Sequence, residues 1–82
     1  MSNFTAEAAF PERAVAITKS DSTVLDLRGG MYVGTGGDVA LILFGDTAAV
    51  THVGIPSGTF IPLHITKVMS TNTTASNMVG YP

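Results

Sequence analysis

The sequence contains no cysteine, which removes a disulfide framework, a cysteine zinc site and a thiol nucleophile at once. Charge is scarce: 12% of residues are charged, and 4 Lys+Arg against 6 Asp+Glu leave a net charge of −2. A balance that weak and dispersed argues against a nucleic-acid groove or an anionic membrane surface as partner. Long hydrophobic runs are missing too. The longest strictly apolar stretch, 39–44, is six residues, far below the ~20 that cross a bilayer, so it reads as a core strand. The first ten residues carry neither a basic leader nor an apolar run of seven, and no secretory or transmembrane segment is expected. The Asn-x-Thr triplets at Asn3 and Asn72 have no glycosylation meaning without such a leader. Tryptophan is absent and there are only two tyrosines, a poor endowment for stacking on sugar rings.

What remains is apolar and small. The chain has 82 residues, 45% of them apolar, and a positive mean hydropathy of +0.37. At that length only one folding unit is expected, burying about 60% of the surface of its unfolded chain. That is marginal, and contacts between subunits are expected to supply part of the stability. Eleven threonines, eight valines and nine glycines describe short strands joined by glycine-built turns. The fold expected is all-β: a small, single-domain antiparallel sandwich or barrel, jelly-roll-like, over residues 13–82, preceded by an extended N-terminal arm over residues 1–12. Pro11 restricts Phe10 to extended backbone and interrupts any helix begun near Asn3. An arm bearing Phe4 and Phe10 is expected to pack on a neighbouring subunit.

Strands are predicted at 14–19, 23–27, 31–35, 38–44, 48–53 and 60–69, with a seventh at 76–81. The turns between them use Gly34, Gly36, Gly37 and Asp38, then Gly45 and Asp46, then Pro56 and Gly58, as fold-determining residues. Within 60–69, alternation places Ile61, Leu63, Ile65 and Met69 on a core face and Phe60, Pro62, His64, Thr66 and Val68 on the other. Pro62 donates no ladder bond, which marks an edge or a bulge. The stretch 39–44 has no polar face, and its second side, with Leu41 and Leu43, is assigned to a subunit contact. Candidate interface residues are therefore Phe4, Phe10, Leu41, Leu43, Phe60, Pro62, His64 and Val68.

Catalytic readings are weak. Gly34-Thr35-Gly36-Gly37 lacks the following helix that a phosphate-cradling loop needs and reads as a tight turn. Asp38 and Asp46 sit at opposite ends of one strand, ~24 Å apart at ~3.3 Å per residue, too far for paired carboxylates, and suit turn capping. His52 and His64 are the two histidines, but no motif places a nucleophile or third metal ligand beside them. Arg28 and Lys67 read as solvated or as salt-bridge partners, Tyr32 and Tyr81 as packing residues. No catalytic residue, metal ligand or cofactor is assigned.

Several motifs taken together carry a family resemblance: Ile17-Thr18 with Ser20-Asp21; Met31-Tyr32-Val33-Gly34 followed by Gly36-Gly37-Asp38-Val39-Ala40; Gly45-Asp46; Val53 with Pro56, Gly58 and Pro62; and Val68 with Thr71, Thr73, Thr74 and Ala75. In these the chain resembles, nearly end to end, the small head-spike base proteins of gene transfer agents and related tailed bacteriophages of alphaproteobacteria. Asn72 stands where that family's Thr-Gly-Thr-Thr-Ala turn has glycine. The resemblance implies a structural virion protein on the capsid exterior, assembled in the host bacterial cytoplasm. It further implies a homo-oligomer, a pentamer, seated on the major capsid protein at the vertex and anchoring a receptor-binding spike fibre protein for host adsorption. It implies no catalysis. A capsid decoration or cement protein and a tail or baseplate module call for the same surface properties, and a small free-standing glycan-binding module is the alternative of another class.

Overall fold

The computed structural model describes residues 12–82, so the candidate contacts Phe4 and Phe10 lie outside the described residues. Among the described residues seven strands follow in order: β1 (Val15–Ala16), β2 (Met31–Thr35), β3 (Gly37–Leu43), β4 (Val50–Ile55), β5 (Thr59–Ile61), β6 (Ile65–Val68) and β7 (Ser76–Gly80). They form two antiparallel sheets, β1-β7-β2-β5 and β4-β3-β6. The all-β expectation holds, as two separate sheets and not a closed barrel.

The core lies between the sheets because each strand turns alternate side chains inward. Met31 and Val33 of β2, Ile61 of β5 and Met78 of β7 meet Val39 and Leu41 of β3 and Ile65 and Val68 of β6, together with Leu27 and Ala75. Each large side chain so buried contributes about 1.5–3 kcal/mol.

Three strand expectations change. Residues 60–69 are two strands in different sheets. Pro62 has no N–H to continue a ladder. Leu63 N instead bonds back to Ile61 O at 3.0 Å, a tight reversal that carries the chain across to the second sheet. Residues 23–27 bond to the outer side of β6, through Leu25 N to Thr66 O at 2.7 Å and Leu27 N to Ile65 O at 2.9 Å. Only Leu27 forms a bridge, because the chain then turns away at Gly30, whose φ is 91°. Of 14–19 only Val15–Ala16 is strand.

Val68 also changes face. The β3–β6 register runs Leu41↔Val68, Ile42↔Lys67, Leu43↔Ile65 and leaves Thr66 unpaired. This bulge turns both Ile65 and Val68 inward, and Thr66 Oγ1 donates to Ile42 O at 2.9 Å. Strict alternation therefore fails at one residue, and Val68 belongs to the core.

Candidate functional site

Three of the motifs that carried the resemblance, at Ser20-Asp21, Asp38-Val39-Ala40 and 71–75, are apart in sequence but meet in space. Asp21 accepts two backbone bonds through Oδ1, from Ser70 N at 2.8 Å and Thr71 N at 2.9 Å, and the Thr71 hydroxyl donates to its Oδ2 at 2.6 Å. Asp38 O accepts from Thr74 N at 2.8 Å and Ala75 N at 3.2 Å, while Asp38 N donates to Thr74 Oγ1 at 2.9 Å. Thr73 is buried, its Oγ1 accepting from Ala40 N at 2.9 Å and its carbonyl from Lys19 Nζ at 2.8 Å. The threonines thus satisfy backbone donors that no strand partner reaches. Asn72 has φ 66°. Asparagine tolerates this left-handed geometry better than other residues with a side chain.

This knot is expected to weaken in acid. The hydrogen bonds from Thr71, side chain first, hold the Asp21 carboxyl below the ordinary aspartate range. A depressed folded-state value means that the contribution is complete above the ordinary aspartate pKa and is lost as pH falls through the depressed one. Asp21→Asn is expected to lower the melting temperature at pH 7 while flattening its fall between pH 5 and pH 2; a parallel pair of pH curves would remove Asp21 from that role.

The turn residues divide by need. Gly37 has φ 156°, and a Cβ there would lie 2.7 Å from Thr74 Oγ1. A Cβ on Gly36 would meet Ile55 O and Ser57 N, and one on Gly34 would meet Asn77 O at 2.5 Å. Gly58 takes φ 83° in the turn begun by Pro56, whose carbonyl accepts from Thr59 Oγ1 at 2.7 Å. Asp38 Oδ1 accepts from Gly54 N at 3.0 Å across the β3–β4 irregularity, and Asp46 Oδ2 accepts from Leu43 N at 3.2 Å. Gly45 is the exception: its φ is not left-handed and an added Cβ would touch nothing within 4 Å.

The described residues enclose no cavity, so the surfaces on offer are open faces and edges. Leu41 and Val68 lie in the core, and Leu43 is half-buried against it. Phe60 is 50% exposed on the outer face of the first sheet. The register there sets Ala16 against Val79, Val79 against Tyr32 and Tyr32 against Phe60, an apolar row crossing all four strands. Tyr81 tilts on Phe60 with ring centroids 6.0 Å apart. Pro62 is exposed at the crossover. His64 stacks on Phe44 at 4.9 Å and 6° between planes, and its Nε2 is 2.6 Å from Asp26 Oδ1. The bond from His64, and next the charge of Arg28, hold the Asp26 carboxyl below the ordinary range. The Arg28–Asp26 pair, at 3.3 Å, is exposed on both sides and contributes little. His52 lies apart on β4, with Nδ1 3.2 Å from Val50 O. Among the described residues no group of three or more His, Asp or Glu is placed to hold a metal ion.

Sequence reasoning missed one surface. β4 is an edge strand exposing Val50 at 54% and Val53 at 77%. Its stretch Val50-Thr51-His52-Val53-Gly54-Ile55 has neither charge nor proline, the signal of an unprotected edge.

No family model matches the chain, and no curated protein does. A solved structure does: a chain in "Capsid of native GTA particle computed with C5 symmetry" superposes with a TM-score of 0.75 at 33% identity, over 88% of this chain and 83% of that one.

Proposed function

This chain belongs to the same family as that GTA capsid component, and from this premise we propose that it is a head-spike base, a ring of five copies on the capsid vertex that anchors a spike fibre. Its role is structural and its location is the virion. The observation that carries the reading is the 33% identity over 88% of this chain and 83% of the related one. The related chain lies in a capsid computed with C5 symmetry, and a ring of five is compatible with such an axis. The exposed row from Ala16 to Phe60 and Tyr81 offers apolar surface to a partner, either the major capsid protein or the fibre.

Native mass across a dilution series tests the ring, and gold labelling of an epitope-tagged copy on purified particles tests the location. A persistent pentamer with label at the vertices is expected. A monomer labelled across the capsid faces would overturn the reading in favour of a decoration protein, and label at the tail in favour of a baseplate module.

A further inference from the structure

A bare sheet edge exposes backbone N–H and C=O groups that can pair with another chain, and a covering segment is one way to close it. The outer edge of β6 is closed in that way by residues 20–26, through Ser20 N to Val68 O at 2.9 Å and Leu25 N to Thr66 O at 2.7 Å. This backbone hold is thin. Ser22 N and Thr23 N turn back to Ser20 Oγ, both at 3.3 Å, Val24 is 71% exposed, and of these residues it is Leu25 that packs against the core.

Two carboxylates supply what the backbone lacks. Asp21 takes Ser70 N, Thr71 N and the Thr71 hydroxyl, and Asp26 Oδ1 takes His64 Nε2 at 2.6 Å. His64 immediately precedes β6 and 70–71 closely follow it, so the two acids clamp the segment at the two ends of the strand it covers. Lys67 on β6 adds its charge at Asp21, and Arg28 and His64 add theirs at Asp26. Beyond the clamps the chain is anchored separately, by Lys19 Nζ on Thr73 O at 2.8 Å and by Leu27, which is buried and exchanges two backbone bonds with Ile65. A segment with so few buried contacts opens at a lower free energy than the whole domain.

We propose that residues 20–26 are a strap over the β6 edge that detaches as a unit, bowing out between Lys19 and Leu27, when its two carboxylate clamps are lost, while the sandwich stays folded. The inference concerns a single copy and does not rest on the ring. Hydrogen bonds first, and then the neighbouring cations, hold both carboxyls below the ordinary aspartate range, so the clamps are complete above that range and are lost as pH falls through the depressed values. Detachment bares β6, and since β4 is the opposite edge of the same sheet, a strap-open copy presents two edges to its neighbours where a closed one presents β4 alone.

The chain has no cysteine, so Val24→Cys takes a single nitroxide label in the middle of the strap. Its mobility reports the strap, while near-UV circular dichroism of Tyr32 on β2 and Tyr81 beside Phe60 reports the sandwich. On titration from pH 7 to pH 2.5 the label is expected to become mobile before the tyrosine signal changes. In Asp21→Ala/Asp26→Ala it is expected to be mobile already at pH 7, with the tyrosine signal of wild type. In unlabelled wild type at pH 7 the Leu25 amide is expected to exchange ~10-fold faster or more than that of Met69, which bonds to Ala40 O on the β3 side of the same segment. A label that stays immobile to pH 2.5, that loosens only together with the tyrosine signal, or that stays immobile in the folded double variant would overturn the strap. Should the double variant fail to fold, equal protection of Leu25 and Met69 in wild type would overturn it as well.

Discussion

Gly37→Val is expected to abolish folding, with no cooperative urea transition at 25 °C. Gly37 adopts φ 156°, and its missing side chain leaves room for Thr74 Oγ1 and Ala75 N, 2.7 Å and 2.9 Å from where a Cβ would stand. Those are the atoms through which the 70–75 turn grips Asp38, so the chain cannot move aside without opening the knot. Backbone strain of roughly 1–3 kcal/mol is then joined by the loss of several hydrogen bonds at about 1 kcal/mol each. A small domain holds about 5–15 kcal/mol in all. Gly36→Val is expected to act alike, by collision with the backbone at Ile55 and Ser57 and without any demand on φ. Gly45→Ala is the control: with open space around it and no left-handed φ, it should be neutral or slightly stabilising. A cooperative, wild-type-like transition in Gly37→Val would refute the role of the knot.

Leu41→Ala carries the other large effect. Leu41 has no exposed surface and sits at the centre of the shared core, where truncation of leucine costs about 2–5 kcal/mol through lost burial and an unfilled cavity. The urea midpoint should fall accordingly, with the slope unchanged. Phe60→Ala, half-exposed on the outer face, should leave the unfolding of the isolated subunit within about 1 kcal/mol of wild type and act, if at all, on assembly. The pair sorts the candidate contacts. Stability lost at Leu41 and kept at Phe60 separates core from surface, and the reverse order would contradict the arrangement of the sheets.

How much was legible beforehand differs by element. The strand 31–35 was read at its true bounds because Met31, Tyr32 and Val33 alternate cleanly and glycines follow. The strand 60–69 was misread because alternation persists in sequence across a place where the backbone changes sheets. Pro62 signalled an interruption, but not that the two halves belong to different layers. At Val68 a single unpaired residue, Thr66, reversed the face of everything after it. The need for glycine at 36 and 37 was legible as turn chemistry, yet its reason at Gly36 is a tertiary contact 19 residues away at Ile55.

Composition and local pattern by themselves determined the class of this protein: many β-branched residues, glycine-built turns and little charge leave an all-β chain with few other options, since these are preferences of each residue and its neighbours. The lack of thiol chemistry was legible at the same level, because an absent cysteine cannot be supplied by folding. Only the tertiary structure decided which apolar residues are spent inside and which remain outside. Leu41 and Val68 went to the core and Phe60, Val50 and Val53 to the surface, with β4 at the edge of its sheet. Hydrophobicity alone cannot make that division, because burial depends on which strand lies beside which, and strand order is set by contacts between residues far apart in the chain.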